Sequence, residues 1–289
     1  MIRTAIKRHG GKSYLAKWII SHFPQRCLNP NAPAEDDPGW LHYVEPYFGG
    51  GSVLLANDPE GISEVVNDLD RRLTEFWSVM ADEEFFALFL RFVQAVPFSE
   101  GSYEQALDVV QDDEDGLGKV PLENRAAAFF VVARQSRQGL GKDFATLSRN
   151  RTRRGMNEQA AAWLSAIEGL PEIHARLRRV VIFNKDALEV IRQQDGPRTL
   201  FYLDPPYLHE TRTATDAYEH EMGVEDHERL LNLIGNIKGR FLLSGYYSPL
   251  YEMAANHYGW RFEAKQIDNK AGGGKTKRTM TEYLWRNFE

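Results

Sequence analysis

The fold follows from nine residues, Val44-Glu45-Pro46-Tyr47-Phe48-Gly49-Gly50-Gly51-Ser52. Tyr43–Pro46 is apolar enough for a short strand, and it runs straight into three glycines. Glycine lets the backbone turn sharply and come close to a ligand. Ser52–Ala56 then begins a helix, whose N-terminus would favour polar or anionic groups. Glu64–Asn67 reads as the next strand. Strand, glycine turn, helix and strand open a βαβ unit. Asp68 ends the second strand, 17 residues beyond Gly51, where an acid can accept from ribose hydroxyls. The spacing is not G-x-G-x-x-G. By itself the turn is equally compatible with a plain glycine bend and a surface aspartate.

A second stretch is more specific: Phe201-Tyr202-Leu203-Asp204-Pro205-Pro206-Tyr207. An apolar strand ends on a carboxylate and two prolines. Proline stops a strand and stiffens the turn, and it has no N–H, so the turn offers carbonyl acceptors and few donors. A carboxylate beside such carbonyls suits an exocyclic NH₂ group. Tyr207 adds a flat face on which a base can stack. Open α/β sheets place their ligands at the carboxyl ends of the strands, which is where this turn stands.

Outward from these motifs, strand-like segments return at Val180–Phe183, Thr199–Leu203 and Arg240–Leu243, with a helical stretch at Glu225–Ile237. Trp260–Ile267 and Thr279–Trp285 read as a hairpin. Ser13–Phe23, Leu73–Val96 and Asn124–Ala133 have helical periodicity, and Leu28–Asp37 reads as a loop. Gly139–Gly155 reads as an irregular exposed loop. The chain is thus expected to be α/β, with a core at 1–74 and 179–289 split by a mainly helical insertion at 75–178.

The 289 residues carry 43% hydrophobic and 26% charged side chains, ordinary globular values that exclude a disordered or fibrous chain. No run of about 18 apolar residues exists, so no transmembrane helix is expected. Lysines and arginines break the N-terminal apolar residues, so no secretory signal is expected. The single cysteine, Cys27, excludes an intramolecular disulfide and a cysteine-rich zinc site; a reduced, cytoplasmic protein is the expectation. The formal net charge is −6, which alone argues against a nucleic-acid partner. The distribution argues the other way. Arg134, Arg137, Lys142, Arg149, Arg151, Arg153 and Arg154 stand against one acid, Asp143, between positions 134 and 154, and Lys265, Lys270, Lys275, Lys277 and Arg278 form a second basic cluster. Acid is gathered elsewhere, as in Asp112-Asp113-Glu114-Asp115. Such polarity suits a protein that holds DNA on one face.

Phe-Gly-Gly-Gly at 48–51 followed by Asp-Pro-Pro-Tyr at 204–207 resembles the amino-methyltransferases that use S-adenosylmethionine. Lys7-Arg8-His9-Gly10-Gly11-Lys12 resembles the K-W-x-G-G-K segment of the alpha-group DNA adenine-N6 methyltransferases, the Dam-like enzymes of bacteria and phages. In that group the N-terminal motif, the glycine motif, a target-recognition insertion and D-P-P-Y follow in this order. Tyr218–Met222 and Leu242–Tyr246 are similar to its post-catalytic part. The resemblance covers both ends of the chain and fades across 75–178. It implies a Rossmann-like methyltransferase core with an inserted target-recognition domain, S-adenosylmethionine as cofactor and double-stranded DNA as partner. No metal is called for, and a monomer is the simplest expectation, because one chain can hold one flipped base. It implies Asp204, Pro205, Pro206 and Tyr207 as catalytic residues. For the cofactor it implies Arg8, Lys12, Phe48, Gly49, Gly50, Gly51, Asp68, Asp186 and Asp204. Arg8 departs from the family, which has tryptophan there. The basic residues Arg134, Arg137, Lys142, Arg149, Arg151, Arg153, Lys275 and Lys277 become the DNA-binding candidates. A cytosine-N4 methyltransferase, or a DNA-binding relative without activity, is the alternative. Cys27, His220 and His227 read as incidental, surface or helix residues, and Phe76, Trp77, Phe85 and Phe86 as core.

Overall fold

Strand–helix alternation at both ends of the chain flanks a run of consecutive helices in the computed structural model, which describes residues 2–8, 10–112, 120–147, 149–208, 222–268 and 279–289. The strands are β1 (His42–Glu45), β2 (Ser63–Asn67), β3 (Thr152–Arg153), β4 (Met156–Asn157), β5 (Val180–Phe183), β6 (Thr199–Leu203), β7 (Arg240–Gly245), β8 (Arg261–Asp268) and β9 (Thr279–Arg286). The helices are α1 (Ala16–Ile20), α2 (Ser52–Ala56), α3 (Arg71–Ala81), α4 (Glu83–Ala95), α5 (Glu100–Asp112), α6 (Leu122–Gln135), α7 (Glu158–Glu168), α8 (Leu170–Leu177), α9 (Ala187–Gln194), α10 (Val224–Ile234) and α11 (Pro249–Tyr258). His9, His220, the acids at 113–115, 218–221 and the loop 271–278 lie outside the described residues.

Two compact units interleave along the sequence. One takes Met1–Ile20, Gly49–Asp58 and Asp70–Asn184; the other takes Ser21–Phe48, Pro59–Leu69 and Lys185–Glu289. In the second unit the sheet order is β2-β1-β6-β7-β9-β8. β1 is parallel to β2 and β6, and β6 is parallel to β7. β9 runs antiparallel to both β7 and β8. This is the Rossmann-like α/β architecture that the glycine turn and the resemblance imply. All five residues of β6 are buried, as a central parallel strand covered on both faces requires. The two expected hairpin strands pair antiparallel, with Ile267 opposite Met280 and Phe262 opposite Trp285, while Trp260 stays outside β8.

The first unit packs around α6, whose Ala126–Ala128, Phe130–Ala133 and Gln135 are buried. Phe76 stacks on Phe130 at 6.1 Å, and Phe89 meets Phe130 edge-on at 5.7 Å. The expected core cluster holds for Phe76, Trp77 and Phe86 but not for Phe85, which is 39% exposed. At about 100° per residue, burying Phe86 and Phe89 swings Phe85 outward. The helical stretch 73–96 is two helices, not one. Asp82 closes α3 and accepts from Phe85 N at 2.9 Å to begin α4, so its side chain serves as a cap in mid-stretch. The stretch 13–23 keeps only α1, and 225–237 ends at Ile234. His227, expected on a helix or at the surface, is on helix α10 with its side chain fully buried, and it shares a hydrogen bond with Tyr251 at 2.9 Å.

Candidate active site

Four parallel strands of the second unit end on one edge of its sheet, and that edge carries the motif residues Phe48, Asp68 and Asp204–Tyr207. Asp204 is half-buried and Pro205 buried at the end of β6. Asn67, which sequence reasoning passed over, ties this edge together. Its side-chain amide donates to Pro46 O and Lys185 O, both at 3.0 Å, and its oxygen accepts from Lys185 N at 2.9 Å. Phe48 N donates to Asn67 O at 2.8 Å. One buried amide therefore fixes the exit of β1 and the turn before Asp186. Asp186 in turn caps α9 by accepting from Glu189 N at 3.1 Å.

Acids and phenols alternate behind the edge. Tyr43 donates to Glu45 Oε1 at 2.7 Å, Tyr202 bonds Ser244 at 3.0 Å, and Tyr207 donates to Glu282 Oε1. The Tyr207 ring lies edge-on to Tyr246 at 4.7 Å. Burial, reinforced by Glu45, holds the Tyr43 phenol well above its ordinary range. Burial and then Asp204 do the same for Tyr202, and burial and then Glu282 for Tyr207. Tyr47 is raised by burial with Asp186 and Asp226 nearby, and Tyr251 by burial with Tyr47 and Asp204 nearby. These phenols stay protonated, so each can donate but none can serve as a base. The base-capable groups here are carboxylates. An edge rich in acceptors and negative charge fits a cationic ligand and an amino-group donor.

The first unit holds the other motifs. Lys12 is only 6% exposed and donates to Gly10 O at 3.2 Å, while its carbonyl accepts from Leu15 N and Ala16 N at the start of α1. Gly49 (φ 52°) and Gly51 (φ 66°) occupy the left-handed region, which explains why glycine stands there. A Cβ on Gly49 would meet nothing within 4 Å: open space flanks the turn. The Gly49 carbonyl accepts from Trp77 Nε1 at 3.0 Å and the Gly50 carbonyl from Thr4. The following α2 has only five residues, so few dipoles align behind the turn, and the expected anion-attracting helix end reduces to the turn itself. Arg8 pairs with Asp70 at 3.0 Å, and Asp70 caps α3 through Leu73 N at 3.2 Å. The guanidinium that replaces the family tryptophan thus anchors the N-terminal segment to α3.

Arg137, Lys142, Arg149, Arg151 and Arg153 are exposed. Ala145 N to Gln135 O (2.8 Å) and Arg137 N to Asp143 O (2.7 Å) close the first part of the basic segment into a narrow loop. Gly139, at φ 74°, sits so close to Lys7 that a Cβ would fall 2.5 Å from the Lys7 carbonyl oxygen. Further on, β3 and β4 form a hairpin around Arg154-Gly155, both at positive φ, as a type I′ turn demands. Arg134 stands apart. Its guanidinium donates inward to Ala162 O at 3.1 Å, and burial lowers its pKa to about 10. Lys275 and Lys277 lie outside the described residues. Among those residues no group of three histidine, cysteine or carboxylate side chains is placed to hold a metal ion, and no helix is long and apolar enough to cross a membrane.

A family model for the D12 class N6 adenine-specific DNA methyltransferases matches residues 9–260. No curated protein matches the chain. Among solved structures, a protein from Pyrococcus horikoshii provisionally described as an RNA methyltransferase is 11% identical, with 95% of this chain and 96% of that chain covered at a TM-score of 0.34. At that score the likeness carries no argument.

Proposed function

Since the chain belongs to the D12 class N6 adenine-specific DNA methyltransferases, we propose that it transfers a methyl group from S-adenosylmethionine to N6 of an adenine flipped out of duplex DNA. The observation that carries this is the Asp204-Pro205-Pro206-Tyr207 turn at the carboxyl end of the buried β6. S-Adenosylmethionine, when bound, supplies an electrophilic methyl on a sulfonium. The open flank at Gly49 leaves room beside the glycine turn, and the acceptor-rich sheet edge of the second unit suits a cationic group. The resemblance assigns Gly49–Gly51 and Phe48 to its methionine part, Asp68 to its ribose and Asp186 to its adenine end, and counts Lys12, Arg8 and Asp204 among the cofactor residues.

Adenine N6 is a poor nucleophile, because its lone pair is delocalised into the ring. Asp204 and the Pro205 carbonyl accept its two hydrogens. So held, the nitrogen moves toward tetrahedral geometry and its lone pair becomes available. This is positioning plus stabilisation of developing positive charge. As the N–C bond forms, the nitrogen sheds one proton, and the Asp204 carboxylate is the acceptor at hand. The target nitrogen is otherwise inside the stack, so the base must swing out and rest on Tyr207. Residues 75–178 serve as the target-recognition insertion within a core of 1–74 and 179–289. Arg137, Lys142, Arg149, Arg151 and Arg153 meet phosphates or guanine edges, and Lys275 and Lys277 add to that surface. Arg134, turned inward, supports the segment from behind. The protein acts as a monomer, one chain on one flipped base.

The test uses purified protein, methyl-labelled S-adenosylmethionine and PCR-amplified bacterial DNA, digested to nucleosides after reaction. Label in N6-methyladenine that disappears with Asp204→Ala supports the proposal. Label in N4-methylcytosine, or no label in DNA, overturns it.

A further inference from the structure

A buried carboxylate at residue 282 is unexpected on stability grounds. Glu282 is 1% exposed on β9, a strand hydrogen-bonded on both sides, to β7 and to β8. An apolar side chain would pack such a position more favourably than a charge taken out of water. Its partner is Tyr207, the tyrosine of the Asp-Pro-Pro-Tyr turn, whose hydroxyl donates to Glu282 Oε1. Burial and the neighbouring carboxylates keep that phenol protonated, so it is able to donate to Glu282. The same strand also supports the neighbour of Tyr207. Tyr246 packs edge-on against the Tyr207 ring, and its hydroxyl reaches Met280 Sδ at 3.7 Å. Met280 and Glu282 are two apart on β9 and therefore share a face. Residue 282 lies beyond the segment 9–260 that defines the family match.

We propose that Glu282 is a positioning residue: it tethers the Tyr207 hydroxyl and so fixes the ring as a ready-made platform for the flipped base. This rests on the proposed function above. Two carboxylates then serve the turn with separate tasks, Asp204 within it and Glu282 from β9. Asp204 receives the amino group of the base, and Glu282 holds the aromatic face on which that base lies. A platform fixed in advance spares the base from ordering it on arrival.

The test compares wild type, Glu282→Ala, Glu282→Gln, Tyr207→Phe and the double variants, using the same labelled cofactor and PCR-amplified bacterial DNA, together with proton NMR of the hydroxyl region. Wild type should show a slowly exchanging hydroxyl proton that Tyr207→Phe and Glu282→Ala both lack. Glu282→Ala should lower kcat by about tenfold or more through misplacement of the ring, with the KM for S-adenosylmethionine unchanged. Glu282→Gln keeps an acceptor oxygen and should recover most of that loss. Tyr207→Phe with Glu282→Ala should be no slower than the slower single variant, because both remove one interaction. If Glu282→Ala fails to fold, Tyr207→Phe against Tyr207→Phe with Glu282→Gln decides, and the glutamine should then be silent. The proposal is overturned by wild-type kcat in Glu282→Ala, by a folded Glu282→Gln as slow as Glu282→Ala, or by independent, multiplying effects. A wild type that transfers no methyl group to DNA refutes the proposed function, and the role of the platform with it, while the hydroxyl proton still reports the tether separately.

Discussion

Asp204 stands where a buried strand gives way to two prolines, and in the proposed reaction no neighbouring phenol can substitute for it, since the phenols around it are held protonated. Asp204→Asn keeps the shape but removes the charge that stabilises the amino group as it turns positive. A kcat lower by at least about 10²-fold is expected, with S-adenosylmethionine still bound in calorimetry. Asp37 shows a structural use of the same side chain. It accepts from the backbone N–H groups of Leu28 (2.6 Å), Asn29 (2.7 Å) and Gly39 (3.1 Å). Those bonds, the one from Asn29 foremost, lower its pKa from 3.8 to about 2. A depressed carboxylate stabilises the fold above its unfolded pKa and ceases to as pH falls through the folded value. Asp37→Asn should therefore melt below wild type at pH 6, and the gap should narrow as the pH is lowered from about 4 toward 2. Asp204 and the glycines could be read from sequence because their chemistry is local, in consecutive residues. Asn67 and Glu282 could not: their partners are 118 and 75 positions away, and neither residue type announces a role.

Strands flanked by glycine and proline were legible as elements, because both residues mark boundaries by their own backbone limits. The helices were less so. Periodicity over 73–96 hides a break, since Asp82 ends one helix and caps the next while the apolar spacing continues on either side. Losing that cap should cost about 1 kcal/mol, readable as a lower urea midpoint in Asp82→Ala. The basic loop shows another limit. Gly139 is an unremarkable glycine in sequence, yet it lies against the Lys7 backbone with φ at 74°. Gly139→Ala combines a forbidden dihedral with a clash. It should destabilise by about 1–3 kcal/mol, and in DNA-binding titrations it should weaken affinity as the loop is displaced.

For the whole molecule, net charge misleads where charge distribution informs. At −6 the protein is acidic, yet the exposed arginines and lysine of one segment can neutralise phosphates locally. If Arg149 and Arg151 each meet one phosphate, Arg149→Ala with Arg151→Ala should flatten the plot of log affinity against log salt by about 2, as fluorescence anisotropy on duplex DNA would measure. The two units are also woven from alternating stretches of chain, a division no composition shift reveals, because each apolar segment looks alike whichever core it joins. The strand order adds a matter of timing. β9 lies between β7 and β8, although it is made after both. Until residues 279–286 pair, the chain holds its Asp-Pro-Pro-Tyr turn while β7 has an open edge and β8 has no partner. Pairing of β9 fills the gap and brings Glu282 to Tyr207 in the same event. Closing the sheet and finishing the platform become one step, so a chain stopped short of Thr279 emerges as an inactive, edge-exposed protein rather than a slower enzyme.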